Sequence, residues 1–173
     1  MTADEIRSLL GLTPLPVEGG LYVESWRSDE TLAAAALPAR YGGPRAIGTA
    51  IYYLLTPGIF SAMHRVRSDE IFHFYMGDPV EALLLAEGAA GRVVTLGHDL
   101  AAGMRPQLVV PRGVWQGLAL RPGGAWALLG TTVSPGFEPA DFELGARAAL
   151  GAAFPAHAER ISRLTRAGGP APR

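Results

Sequence analysis

Residues 58–77 read GIFSAMHRVRSDEIFHFYMG, and this stretch decides the fold. It places His64 and Glu70 between two turn glycines, Gly58 and Gly77. Side chains alternate between the two faces of a strand, and a tight turn reverses the chain, so His64 is expected to end one strand and Glu70 to begin the next. The turn would bring both side chains over one cavity, where an imidazole and a carboxylate can share a proton, a metal ion or a polar ligand.

Short β-rich segments recur on both sides of this stretch. The predicted strands are 21–26, 49–55, 61–64, 70–75, 80–86, 93–96, 107–110, 116–120 and 126–133. Turn signals such as Pro57-Gly58 and Gly77-Asp78-Pro79 separate them. So many short strands without helical patterns between them predict a β-sandwich or a β-barrel.

Helices are expected at the two ends of the chain, and a helical turn at residues 32–37 is expected within a surface excursion over 28–44. A capping box at Thr2-Ala3-Asp4-Glu5 predicts a short helix through Leu10, and residues 141–150 and 156–164 are predicted to be helices packed outside the sheets. We expect one domain over residues 1–166 and a flexible tail at 167–173.

Composition limits the possible partners. The chain has 173 residues, of which 49% are hydrophobic and 18% charged, as in a globular protein, and the low charge leaves apolar surface that a second subunit could cover. A net charge of −1 gives no basic surface for nucleic acid or for an anionic membrane, and no apolar run is long enough to span one. Cysteine is absent, so no disulfide is needed, and a cytoplasmic location is expected.

The central stretch resembles the first cupin motif, G-x5-H-x-H-x3-E-x6-G. Gly58, His64, Glu70 and Gly77 match its positions, and Val66 stands where the second histidine belongs. The resemblance therefore implies a ligand set that has lost one imidazole.

The second cupin motif, G-x5-P-x-G-x2-H-x3-N, is matched only in its middle. Pro111 and Gly113 keep the turn residues, whereas Arg105, Gln116 and Leu120 replace the glycine, the histidine and the asparagine. Two of the three imidazole ligands of the motifs are thus missing.

Longer segments are similar to the uncharacterised cupin 5 branch over residues 5–165. They include VEGGLYVESWRS, TAIYYLL and VVPRGVWQG. This resemblance implies an all-β, double-stranded β-helix (jelly-roll) barrel with a short N-terminal helix and C-terminal helices. It also implies a homodimer, but no particular reaction.

The main functional hypothesis is a cupin-like protein that binds a small polar or planar metabolite inside the barrel. His64 and Glu70 are the candidate catalytic residues, and Gln116 would add a hydrogen-bonding amide beside them. Strand parity puts Phe72 and Phe74 on the same face as Glu70, where they would form the apolar wall.

Further ligand-binding candidates come from two other segments. Trp115 is expected to complete the apolar wall. The entering strand adds Glu24 and Arg27, which lie in a cluster with Glu18 and Ser25 near Gly19-Gly20, where the backbone can approach a ligand closely.

Two enzyme hypotheses remain as alternatives. One is a cofactor-independent sugar isomerase or epimerase with His64 as the base and Tyr52 or Tyr53 as the acid. The other is a metal-dependent cupin enzyme with His64 and Glu70 as ligands. One imidazole, one carboxylate and one amide make a weak transition-metal site, so no metal or other cofactor is favoured.

Overall fold

The computed structural model describes residues 1–166. Its α-helices are α1 (Ala3–Leu10), α2 (Arg147–Ala153) and α3 (Ala158–Arg163), with 3₁₀ turns at Ala34–Ala36, Ala39–Tyr41, Pro139–Asp141 and Pro155–His157. Its strands are β1 (Thr13–Pro14), β2 (Leu21–Arg27), β3 (Thr31–Leu32), β4 (Arg45–Ala46), β5 (Thr49–Leu55), β6 (Phe60–Arg65), β7 (Asp69–Gly77), β8 (Val80–Leu85), β9 (Arg92–Leu96), β10 (Gln107–Val110), β11 (Trp115–Leu120), β12 (Ala127–Ser134) and β13 (Glu143–Leu144).

Two antiparallel sheets face each other across the interior. The larger has the order β1-β2-β5-β12-β7-β10, the smaller β13-β6-β11-β8-β9, and β3 pairs with β4 outside them. Inward-facing residues of both sheets form the central core, which includes Tyr53, Leu55, Phe72, Phe74, Leu84, Leu118 and Leu129. The predicted mostly-β architecture is confirmed, and alternation along the strands produces it.

The N-terminal helix begins where the sequence predicts. Thr2 and Glu5 form the reciprocal capping box, and Gly11 ends α1 with a φ of +67°. Ile6 and Leu12 then pack on Leu54 and Leu128, on the outer face of the larger sheet. Because Leu54 is an outward-facing neighbour of Tyr53, the helix covers apolar surface that the barrel itself cannot bury.

The C-terminal part corrects the sequence-based boundaries. A helix was expected from residue 141, but α2 begins only at Arg147, because Glu143 and Leu144 first pair with β6. The Gly145 amide continues this attachment by donating to the Met63 carbonyl at 2.7 Å. Helices α2 and α3 then cover the outer face of the smaller sheet through Leu150 and Ile161.

Irregularities in two strands orient the residues of the site. Between the β6–β11 pairs Gln116–His64 and Leu118–Ser61, β6 contains one more residue than β11. A similar shift occurs in β2 between Glu24 and Trp26. Because such bulges reset strand parity, they decide which side chains point inward.

None of the helices within residues 1–166 combines the length and apolar character that a membrane span requires. The tail predicted at 167–173 lies outside the described residues.

Candidate functional site

A pocket of about 210 Å³ opens between the two sheets, at the end of the barrel where β7 begins. Its charged side chains are Glu18, Glu24, Arg27, His64 and Glu70. Its apolar walls include Ile51, Val66, Val133 and Phe137. The pocket therefore combines a charged floor with hydrocarbon walls, an arrangement typical of small-molecule sites.

His64 lies one residue before the end of β6 and is buried, with 2% of its surface exposed. Its Nδ1 lies 2.7 Å from the Ala62 carbonyl, and since a carbonyl only accepts, Nδ1 carries a proton. The ring stacks on Phe142 at a centroid distance of 5.1 Å. These contacts aim Nε2 towards Glu70, whose Oε2 is 3.9 Å away.

Gln116 joins the two candidate catalytic groups. It pairs with His64 across β6 and β11 and is fully buried. Its Nε2 donates to Glu70 Oε2 at 2.5 Å and lies 3.2 Å from His64 Nε2, whereas its Oε1 is buried without a partner in residues 1–166. The amide thus orients the Glu70 carboxylate from below the pocket floor.

Glu18 is a second carboxylate facing His64, and the sequence placed it only in the wider cluster of the entering strand. Ser61 Oγ donates to Glu18 Oε1 at 2.7 Å. The Glu18 amide donates to the Pro16 carbonyl at 2.7 Å, which closes a γ-turn around Val17, a β-branched residue with a φ of +69°. Such a conformation costs about 1–3 kcal/mol and is common near functional sites.

Two glycines follow Glu18, and they allow the backbone there to pass close to the barrel. Gly19 and Gly20 both have positive φ, and a Cβ atom at Gly20 would lie 2.4 Å from the Tyr53 ring. Only a residue without a side chain fits there, so the two glycines hold Glu18 against the barrel opening.

The charges of Glu18 and Glu70 act on the pKa of His64. Burial alone would lower the pKa of His64, but the nearby charges of Glu18 and Glu70, whose Oε2 is 3.9 Å from Nε2, raise this pKa to about 9. Burial raises the pKa of Glu18, and the nearby Glu70 raises it further, against the opposing effect of His64. At neutral pH the raised pKa of His64 makes the ring an imidazolium close to two acidic side chains, and its Nε2 proton then faces the donor nitrogen of Gln116, which is an unfavourable contact.

Strand β2 contributes two oppositely charged residues, Glu24 and Arg27, to the pocket. The bulge after Glu24 turns Arg27 inward, where it contacts Glu24 and Glu138, each at 2.9 Å. Ser25 instead points outward and donates to the Ala50 carbonyl. Glu24 and Arg27 thus line the pocket, with their charges largely satisfied by ion pairs.

Three predicted wall residues lie elsewhere. Phe72 and Phe74 face inward but fill the packed core beyond the pocket, because each step of two residues along β7 moves away from Glu70. Trp115 precedes Gln116 in β11, so its side chain lies on the opposite face of that strand. There it packs near Leu85 and under the Arg65 guanidinium. The structure corrects the expectation that these rings shape the pocket.

The two candidate tyrosines, Tyr52 and Tyr53, lie on opposite faces of the larger sheet. Tyr53 points inward and donates from its hydroxyl to the Gly19 carbonyl at 2.8 Å. Burial, together with the charge of Glu18, raises its pKa well above 10. Tyr52 faces the other side of the larger sheet and packs edge-on against Tyr75. Of the two, only Tyr53 lies near the Glu18 carboxylate.

The family described as Cupin superfamily (DUF985) matches residues 4–145. This chain belongs to that family. Two solved structures resemble this cupin over nearly their whole lengths. A protein from Shewanella oneidensis is 37% identical, with a TM-score of 0.83, covering 96% of this chain and 98% of its own. A hypothetical protein from Leishmania major is 30% identical, with a TM-score of 0.86, covering 96% and 100%.

A more distant structural neighbour supports the fold alone. Oxalate decarboxylase from Bacillus subtilis is 14% identical, with a TM-score of 0.52, and the match covers 88% of this cupin and 37% of that enzyme. The predicted cupin barrel is confirmed by these likenesses. A comparison with curated proteins gives no match.

The residues of this cupin do not suit a transition metal. Within residues 1–166, no group of three or more His, Cys, Asp or Glu side chains is placed to hold one. The Gln116 amide nitrogen instead fills the space between His64 Nε2 and Glu70 Oε2, so an ion there would have to displace this amide. Val66, at the position of the missing histidine, adds hydrocarbon to the pocket wall.

Proposed function

We propose that the protein binds a small, donor-rich polar molecule in the barrel pocket. The observation that carries this proposal is the pair of carboxylates, Glu18 and Glu70, that line the same pocket as one buried imidazole, that of His64. A ligand that offers N–H or O–H groups would satisfy both carboxylates, and this would compensate for their desolvation.

The charge balance of the pocket supports a neutral or cationic ligand. Arg27 is held by Glu24 and Glu138, and His64 faces both Glu18 and Glu70. The acidic groups therefore outnumber the basic ones, and an anionic ligand would be repelled. The apolar faces of Ile51, Val133 and Phe137 favour a ligand with a flat or hydrocarbon part.

Thermal unfolding with a panel of sugars, amides, amines and small carboxylic acids tests this proposal. A ligand at about 100 times its Kd adds roughly 2.7 kcal/mol of stability, which for a domain of this size raises Tm by about 5–10 °C. We expect stabilisation from donor-rich neutral compounds or amines, and its loss in Glu70→Gln.

The matched control is Glu143→Gln, which removes a carboxylate that pairs with Arg65 outside the pocket. This variant is expected to keep the full ligand-induced shift. Stabilisation by acids alone, or an undiminished shift in Glu70→Gln, would contradict the proposal.

A second candidate is proton-transfer catalysis, as in an isomerase or epimerase. It is favoured by the presence of one imidazole and two carboxyl groups in the same pocket lining, which supplies an acid and a base in one pocket. Because His64 keeps its proton at neutral pH, we assign it as the acid in this scheme and a carboxylate as the base, which reverses the role expected from sequence. Deuterium uptake from D₂O into a bound sugar or keto acid, lost in His64→Gln, would establish turnover; stabilisation without uptake favours simple binding.

We also propose that the protein forms a homodimer. Trp26, Tyr75 and Val109 are exposed by 50%, 43% and 48%, and all three lie on the outward side of the larger sheet. A second copy would cover this apolar face. Light scattering after size-exclusion chromatography is expected to give the mass of two chains, and the mass of one chain would contradict this.

A further inference from the structure

A second cavity, of about 370 Å³, adjoins the barrel pocket: Val66 lines both, and the Pro139–Asp141 turn contributes to both linings. We call it the arginine groove. Four arginines line it: Arg40, Arg67 and Arg112 come from three separate loops and Arg65 from the end of β6, and Val66 and Phe142 are apolar lining residues. This number of arginines distinguishes it from the acidic barrel pocket.

Two of these arginines hold each other in place without losing charge. Arg40 Nε donates to the Arg67 carbonyl at 3.2 Å, and Arg67 Nη1 donates to the Arg40 carbonyl at 2.8 Å. Because the acceptors are neutral carbonyls, both guanidinium groups keep their positive charge. The reciprocal bonds restrict the side chains, so less entropy is lost when a ligand binds.

The acidic residues of the groove are already neutralised. Both carboxylate oxygens of Asp141 accept from the buried Arg45, at 2.7 and 2.8 Å, and Asp141 approaches Arg67 only to 4.0 Å. Glu143 accepts two hydrogen bonds from Arg65, at 2.9 and 3.0 Å. These bidentate pairs leave little acceptor capacity for other arginines.

Positive charge therefore remains in excess in the groove. Over residues 1–166, neither Arg40 nor Arg112 forms an ion pair, and the Arg112 guanidinium makes no hydrogen bond. Arg40, Arg67 and Arg112 line one cavity whose two acids, Asp141 and Glu143, are held by other arginines, and this is an oxyanion-binding arrangement.

We propose that the arginine groove is a second ligand site, which binds a small oxyanion or the anionic group of a small molecule, either phosphate or carboxylate. The guanidinium forks of Arg67 and Arg112 bind the oxygens, and Val66 and Phe142 contact any apolar part. This site does not depend on the function of the barrel pocket, which favours ligands of the opposite charge.

Isothermal titration at low ionic strength tests the groove, with inorganic phosphate and acetate as separate probes. Arg112→Gln is the first variant, because the side chain has no hydrogen bond whose loss would unfold the protein; Arg67→Gln is the second. A charge-assisted contact contributes enough that each variant should weaken binding about tenfold or more. Arg92→Gln is the matched control, since Arg92 is exposed on β9 away from both cavities and should leave binding unchanged.

The outcomes are separable. Tighter phosphate binding assigns a phosphate group to the site, and tighter acetate binding assigns a carboxylate; in both cases the loss in Arg112→Gln supports the proposal. The proposal is overturned if neither anion binds the wild-type protein, or if Arg112→Gln and Arg92→Gln bind equally well.

Discussion

The barrel interior differs at its two ends although the same strands build both. On β7, Glu70 lies in the pocket, and the next inward residues, Phe72 and Phe74, lie in the packed core. On β12, Thr131 lines the pocket, whereas Leu129 is fully buried among hydrocarbon. A few residues along each strand thus separate a charged cavity from a close-packed core.

The contrast shows how stability and binding are divided within one fold. The apolar end gains free energy from burial without opposing charges. The polar end holds Glu18, Glu70 and His64 together at the cost of desolvation, and Val17 adds backbone strain. We infer that the packed end stabilises the barrel and thereby allows the unfavourable arrangement at the other end.

The largest expected effect tests the packed end. Phe72→Ala removes a ring with 2% exposure from the core and should lower the free energy of unfolding by about 3–5 kcal/mol, measured by urea denaturation. The pKa of His64 should remain high, because Phe72 does not line the pocket. A loss below about 1 kcal/mol would mean that this end is not tightly packed.

The next largest effect is a pH dependence of the free energy of unfolding, caused by His64 at the polar end of the barrel. The pKa of His64 rises from 6.5 in the unfolded chain to about 9 in the fold, so its contribution is complete below pH 6.5 and is lost as pH rises through 9. This shift corresponds to a fall on the order of 3 kcal/mol in the free energy of unfolding.

The composition of the chain makes the fall in stability between pH 6.5 and 9 easy to assign to His64. The chain contains neither Lys nor Cys, so few other groups titrate between neutral pH and pH 9. Denaturant unfolding of His64→Gln is the comparison, and its stability should change little over the same range. An equal fall in wild type and variant would assign the effect to another group.

A smaller effect, of opposite sign, is expected for Glu18→Gln. The raised pKa of Glu18 means that the fold disfavours its charged form, so the neutral amide should raise the free energy of unfolding at pH 7. It should also lower the pKa of His64, because one attracting charge is removed. Lower stability with an unchanged His64 pKa would show that Glu18 does not act on the imidazole; Glu81→Gln, on the outer strand surface, is the control.

The smallest effect should come from Trp115→Phe. Trp115 faces away from the pocket, and its Arg65 contact, 4.4 Å from the ring centroid, is a cation–π interaction worth less than about 1 kcal/mol at a partly exposed site. Chemical denaturation should detect this small loss, and ligand-induced stabilisation should be unchanged. If this variant loses the ligand-induced stabilisation, Trp115 contributes to the pocket wall after all.

Sequence alternation predicted most of the barrel because it is a local signal. Residues 49–55 and 107–110 are strands with the predicted bounds, and Glu70 shares its face with Phe72 and Phe74 as parity requires. The strand formed by Glu143 and Leu144 escaped prediction, since a two-residue strand carries no period of its own.

The site was less predictable because it depends on contacts distant in sequence. His64 and Glu70 were singled out by their spacing and Gln116 by its position in a motif. The approach of Glu18 to Ser61 instead follows from a strained turn and two glycines, and the bulges in β2 and β6 decide which residues face inward. No periodic pattern encodes these features.

The most direct test of the account is the titration of His64 by NMR, on protein with isotope-labelled histidine, from pH 5 to about pH 10. The His64 signal is assigned by its absence in His64→Gln. We predict a pKa of about 9 for this imidazole, and a lower value in Glu18→Gln and in Glu70→Gln. A wild-type pKa at or below 6.5 would contradict the claim that two carboxylates hold His64 as an imidazolium at the polar end of the barrel.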